Sequence, residues 1–207
     1  MRLEHGRIEV ELHKLARGHG RALLLLHGLY GSAADWGEGF APWPGPVYAL
    51  DFAGHGRSHW VKGGAYMPET LAGDADAALR HIGEASLVGC GIGAYAALLV
   101  AAARRDLVDA ALLLPGPGLD GGGAVPDFQA RPQSVAELAV PRDGCDPMVA
   151  FLEHDVRPVD YAEAFAGKVR RLILLEDGTP RPPWWEAARE AGRALIVRDV
   201  AEGLARM

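Results

Sequence analysis

The chain predicts an α/β fold, a doubly wound and mostly parallel sheet with helices on both faces. Three observations lead there. Short apolar runs alternate with longer segments of helical character along the whole chain. All but the first of these runs lack polar alternation, which is the mark of strands buried on both sides. Several end at a glycine or an aspartate, and sheets of this kind place their ligands beyond the carboxyl ends of their strands.

The elements follow in order. Residues 7–12 alternate through Ile8, Val10 and Leu12 and read as a half-exposed strand. "ALLLLHG" at 22–28 reads as a buried strand ending at a glycine, and "VYALD" at 47–51 as the next. "ASLVGC" at 85–90, "AALLL" at 110–114, "RLILLE" at 171–176 and "ALIVRD" at 194–199 complete the set. Helical stretches lie at 68–81, 92–103, 158–166 and 183–191. Pro68 fits the first turn of its helix, and Pro182 or Pro183 does the same for the last. The rhythm breaks at 116, where "PGPGLDGGGAVPDF" is a turn-rich loop and "SVAELA" and "DPMVAFLEHD" are short helical pieces. We read one domain over 1–207, with 116–167 as an insertion, a reduced cap, after the sixth strand.

Bulk properties exclude some functions. A formal net charge of −6 argues against a nucleic-acid partner. No apolar segment is long enough to span a membrane, and "MRLEHGRIEV" carries charge too early for a secretory signal. Cys90 and Cys145 do not make a disulfide framework. Both read as free thiols in a reducing, cytoplasmic compartment, with Cys90 packed in an apolar run and Cys145 the more accessible, in a loop-like stretch. No metal site and no cofactor is expected.

Three stretches at strand ends carry the chemistry: "HGLYGSAADW" after the 22–26 strand, "DFAGHGRS" after 47–51 and "GCGIGA" after 85–90. Together they resemble the α/β-hydrolase family over residues 22–115. The likeness weakens through 116–167 and returns as strand–helix–strand over 168–199. The resemblance implies that the His27–Gly28 turn helps to form an oxyanion hole. It also implies that Asp51 and Ser58 brace their loop, with His55 and His59 as scaffolding. The third stretch is then the elbow that presents the nucleophile.

Small residues are needed two positions either side of an elbow nucleophile, where strand and helix approach closely. Centring on Gly91 puts Gly89 and Gly93 there, whereas centring on Cys90 puts Val88 and Ile92 there. Gly91 therefore takes the nucleophile position and supplies no oxygen. The family's acid follows the strand at 171–176, where this chain has Glu176, Asp177 and Gly178. Its histidine follows the last strand, near Arg198 to Val200, but the last histidine of the chain is His154. "GCGIGAY" also locally resembles the glycine elbow of the N-myc downstream-regulated proteins, members of this fold regarded as non-catalytic.

The expectation is a non-catalytic member of the fold that binds a small oxyanion or carbonyl ligand, or a protein partner. The ligand would lie against His27, Gly28, Leu29, Tyr30, Gly91 and Ile92, with the Leu29 and Ile92 N–H groups facing it at a helix N-terminus. The alternative is a non-standard hydrolase or lyase using Cys90, His154, His27 or the Glu176–Asp177 pair. A third reading is an interaction module that uses Trp184 and Trp185 as an exposed contact, against their packing a helix onto the sheet.

Overall fold

A computed structural model describes residues 1–61, 66–119, 144–153, 157–178 and 181–207. Eight strands form one sheet: β1 (Arg2–His5), β2 (Ile8–Ala16), β3 (Ala22–Leu26), β4 (Val47–Asp51), β5 (Ala85–Cys90), β6 (Val108–Leu114), β7 (Leu172–Leu175) and β8 (Leu195–Val197). Their spatial order is β1-β2-β4-β3-β5-β6-β7-β8. The β1–β2 and β2–β4 pairs are antiparallel and every other pair is parallel. The helices are α1 (Pro68–Ile82), α2 (Ile92–Ala103), α3 (Val159–Ala166), α4 (Pro183–Ala191) and α5 (Val200–Ala205).

Alternate residues of the parallel strands enter two separate cores, as the period of two requires. Leu24, Leu26, Leu87, Ala111, Leu113 and Leu174 face the side covered by α1, α2, α3 and α4. Leu23, Leu25, Val88, Leu112 and Ile173 face the other side, against Phe40, Trp36, Trp43, Val200 and Leu204. The Ala- and Leu-rich α2 is buried from Ile92 to Ala102 because helices flank it and the sheet lies beneath it. Among the described residues no helix is long and apolar enough to cross a membrane.

Several expectations change. The charged opening residues form strand β1, paired to β2 from Arg2↔Glu11 to His5↔Ile8. A six-residue helix that periodicity did not signal, α5, is capped at its start by the Asp199 side chain, which accepts the Glu202 N–H at 2.8 Å. Within the stretch read as an insertion, α3 packs between α2 and α4 as a regular member of the helical layer. "DPMVAFL" forms a 3-10 helix over Pro147–Leu152, while "SVAELA" lies outside the described residues. Trp184 and Trp185 are each 1% exposed, so they are not a surface contact. Trp184 stacks edge-on to Tyr95 and donates from Nε1 to the Leu119 carbonyl at 3.1 Å.

Candidate functional site

The chain turns sharply between β5 and α2. Gly91 has φ 55 and ψ −118, a conformation that residues with a side chain adopt only under strain. A Cβ on Gly89 would press on the Gly93 carbonyl and on Ala94 Cα, and a Cβ on Gly93 would press on the Leu26 and His27 carbonyls. The small residues are therefore where strand and helix touch, and the elbow is centred on Gly91. Cys90 sits beside it, partly exposed, with its Sγ–H donating to the Pro115 carbonyl at 3.1 Å. Burial pushes its thiol up to about 11, and the nearby Asp35 carboxylate adds to the shift. Cys145 is the more hidden thiol, at 4% exposure: it packs into the larger core, and its backbone bridges to His55. This reverses the order of accessibility expected from the loop-like sequence around Cys145.

The turn after β3 is braced from within. The Phe52 N–H donates to His27 Nε2 at 3.1 Å, so the ring proton is assigned to Nδ1, which donates to the Gly28 carbonyl at 2.8 Å. Burial holds this imidazole neutral, with its pKa lowered to about 4. With both nitrogens engaged, His27 ties β3 to β4 and has no lone pair left for a substrate proton. Tyr30 takes φ 63 in the same turn and donates from its hydroxyl to Glu153 Oε2 at 3.2 Å.

The next residues bring the main correction. The Leu29 and Ile92 N–H groups converge on one point as expected, and Leu29 lines a cavity with His27, Gly28 and Tyr30, but the two donors are already taken. Both donate to the Pro117 carbonyl oxygen, at 3.1 and 3.0 Å. That oxygen lies where the Cβ of any larger residue 91 would be, with Gly116 C 2.6 Å and Pro117 N 2.8 Å from the same point. The Gly116–Pro117 backbone thus occupies the space that a side chain at residue 91 would need, and it satisfies both amides. From the sequence, Pro115–Leu119 reads only as the start of a turn-rich loop after a buried strand, with nothing to mark which carbonyl turns inward.

The loop after β4 is scaffolding in its contacts. Burial would raise the Asp51 pKa, but the Ala33 N–H (2.6 Å), the Arg57 N–H (2.9 Å) and His13 Nε2 (2.9 Å) together hold it below the ordinary value. The Ser58 hydroxyl donates to the Asp51 carbonyl and accepts the Glu11 N–H at 2.8 Å. His55 is fully buried, donates from Nδ1 to the Ala53 carbonyl at 3.0 Å, and is held neutral by burial with a pKa lowered to about 3. His59 lies on the surface, 3.1 Å from Glu9.

The loops after β7 and β8 carry no assembled acid–imidazole pair among the described residues. Asp177 is 2.7 Å from Arg181, and Glu176 Oε1 is 3.7 Å from Arg189. Arg198 donates its N–H to Glu202, and Asp199 caps α5. His154 lies outside the described residues. Among the described residues no cluster of three His, Cys, Asp or Glu side chains could hold a metal ion.

Two cavities flank the Gly116–Gly118 segment. One, of about 290 Å³, is lined by His27, Gly28, Tyr30, Asp35, Trp36 and Cys90 among others. The second, of about 350 Å³, is lined by Gly91, Gly116, Arg181, Trp184 and Trp185 among others.

Known proteins share this architecture. Esterase Rv0045c of Mycobacterium tuberculosis (strain ATCC 25618 / H37Rv) is 30% identical over 99 residues, which are 47% of this chain and 33% of that protein. The match thus spans about a third of that relative's length. The solved structure of Est816, an N-acyl homoserine lactone degrading enzyme, superposes with a TM-score of 0.71 at 18% identity, covering 95% of this chain and 90% of the other. An N-formylmaleamic acid deformylase from Pseudomonas putida S16 gives 0.69 at 17% identity, covering 95% and 91%. The strand order, the elbow after β5 and a match of residues 23–205 to the model of the alpha/beta hydrolase family converge, and the chain belongs to that family.

Proposed function

We propose that this chain is a member of the alpha/beta hydrolase family that does not carry out acyl transfer and instead binds a small molecule beside the elbow. One observation carries the reading: residue 91 is glycine, and the Pro117 carbonyl stands where its nucleophilic side chain would have to be. Acyl transfer needs a nucleophile, a base that takes its proton, and donors for the oxyanion. Here the first is missing, the third is already bonded, and no histidine stands at Arg198 to Val200 directly after β8. The cavity of about 290 Å³ beside Cys90, bounded by Gly28, Tyr30 and Trp36, is the ligand site in this reading. A chain with only two cysteines, Cys90 and Cys145, suits a reducing, cytoplasmic setting in this reading.

The cysteine-based alternative has Cys90 at the cavity wall in its favour. Against it, the thiol is bonded to a carbonyl and its pKa is pushed up to about 11, the opposite of an activated thiolate. Hydrolysis of p-nitrophenyl acetate and butyrate tests the proposal. The expected result is no turnover above a denatured control, apart from slow acylation of a thiol. Turnover that runs past one equivalent in the Cys90→Ala/Cys145→Ala protein overturns it.

A further inference from the structure

We propose that the Gly116–Pro117–Gly118 segment is a built-in internal ligand of the Leu29 and Ile92 amides, so that a carboxylate or other small oxyanion binds there only by displacing the Pro117 carbonyl. The inference goes beyond the non-catalytic reading, since a chain without turnover could hold these amides either open or closed.

The need for an acceptor comes first. Leu29 and Ile92 are 1% and 0% exposed, and a buried N–H without a partner is costly. A carbonyl oxygen has two lone pairs, and Pro117 uses them for these two donors, at 3.1 and 3.0 Å. Ile92 also opens the twelve-residue α2, whose N-terminus favours a partial negative charge.

The seat is shaped for this segment. Gly118 has φ 98, and a Cβ there would come 2.9 Å from Ile92 Cβ and 3.0 Å from Leu29 Cβ. The Pro117 ring fills the space a Gly28 side chain would need, with Cδ 2.9 Å from that Cβ position. Both ends are anchored. On one side Pro115 accepts the Cys90 thiol proton. On the other, the Leu119 N–H donates to Leu152 at 3.0 Å and the Leu119 carbonyl accepts from Trp184. An acceptor tethered in place competes at an effective concentration of about millimolar or higher, which a free weak ligand must exceed.

The test is nuclear magnetic resonance on the intact, isotope-labelled chain. A long-range HNCO experiment reads couplings through hydrogen bonds, and it should show cross-peaks from the Leu29 and Ile92 nitrogens to the Pro117 carbonyl carbon. Millimolar acetate should leave both amide shifts unmoved. In Gly118→Ala the added methyl group lifts the segment, so both couplings should vanish and acetate should now shift both amides. Gly83→Ala is the control: Gly83 also has a positive φ, 88, but nothing lies within 4 Å of its Cβ position, so both couplings should persist. If Gly118→Ala does not fold, Pro117→Ala is read instead, and loss of the ring from its seat against Gly28 should weaken the couplings and speed exchange of both amides. Absence of the two cross-peaks in the unmodified chain, where the Gly91 to Leu114 coupling is seen, overturns the proposal. So does an acetate-dependent shift of both amides in the unmodified chain.

Discussion

Replacing Gly91 by alanine measures how much the segment over the elbow contributes. Two costs arise. A side chain at φ 55 and ψ −118 stores about 1–3 kcal/mol of backbone strain. The new Cβ also collides with the Pro117 carbonyl and with the Gly116–Pro117 peptide, all backbone atoms that cannot rotate away. Once that carbonyl is expelled, two buried amides lose their acceptor, at about 1–3 kcal/mol each before any water enters from the adjoining cavity. Allowing for such water, the sum is about 3–6 kcal/mol, a large part of the about 5–15 kcal/mol that a domain commands. For a chain of this size it lowers Tm by about 6–24 °C.

Gly83→Ala separates the two costs. Gly83 ends α1 with φ 88 and ψ −137, a comparable backbone strain, and its Cβ position is open. Urea unfolding of the three proteins gives the comparison. Gly91→Ala should be less stable than Gly83→Ala by at least about 2 kcal/mol, the lower bound of two orphaned amides. Equal losses in the two variants would refute the reasoning, because strain alone would then account for both.

Three further outcomes follow from the buried titratable groups. His27 and His55 have native pKa values of about 4 and about 3 against 6.5 unfolded, so the stability they contribute is complete above pH 6.5 and is lost as the pH falls. For His27 alone the loss approaches about 3 kcal/mol by its native pKa; unfolding free energies that stay level from about pH 7 to about pH 4.5 would contradict this. His5 Nδ1 lies 2.6 Å from Asp74 Oδ1, and that hydrogen bond raises the His5 pKa. Burial raises the Asp74 pKa as well, despite the opposing His5 bond, so the native pair holds its proton more tightly than the unfolded chain does. The His5 share of that contribution is complete below pH 6.5 and declines as the pH rises through the native His5 value, whereas the Asp74 share is already lost at acid pH. Stability should therefore fall more steeply above neutrality in the natural chain than in His5→Gln, and parallel curves would rule the pair out. Ellman's reagent should modify Cys90 before Cys145 in the native protein, slowly near neutrality and faster as the pH climbs towards about 11, with prior labelling of Cys145 the contrary result.

Most of the frame was legible because it depends on side-chain identity. Wholly apolar runs located the parallel strands, and the predicted helix at 183–191 matches α4 residue for residue. Gly89 and Gly93 placed the elbow on Gly91 through a packing requirement that any sequence must meet. What escaped reading depended on the path of the backbone. Strand β1 is too charged to show a core face, because it lies at the sheet edge and pairs only with β2. Helix α5 escaped as well, because it is only six residues long and has little apolar periodicity behind its Asp199 cap. The Pro117 carbonyl could not be read at all. Every residue has a carbonyl, and only the fold decides which one reaches Leu29 and Ile92.

That distinction changes what Gly91 means. From the sequence alone, glycine at the elbow reads as relief of strain once chemistry is absent, and its role ends there. In the folded chain the missing side chain is also the space that admits Pro117, and Gly118 shapes the same segment from its other end. The two readings separate in a double-mutant cycle. If each glycine merely relieves its own strain, the losses of Gly91→Ala and Gly118→Ala add, as they do for independent sites. If both hold one segment in place, the first substitution already expels the carbonyl and the second has only its own strain left to impose. The double variant should then be more stable than the sum of the single losses implies by about 2 kcal/mol or more, the cost of two orphaned amides counted once instead of twice. Strict additivity would return Gly91 to the simpler reading. A coupling of that size would mean that a serine at position 91 restores no hydrolase by itself: the segment over the elbow would have to move, and a base would have to be supplied, before the hydroxyl could act.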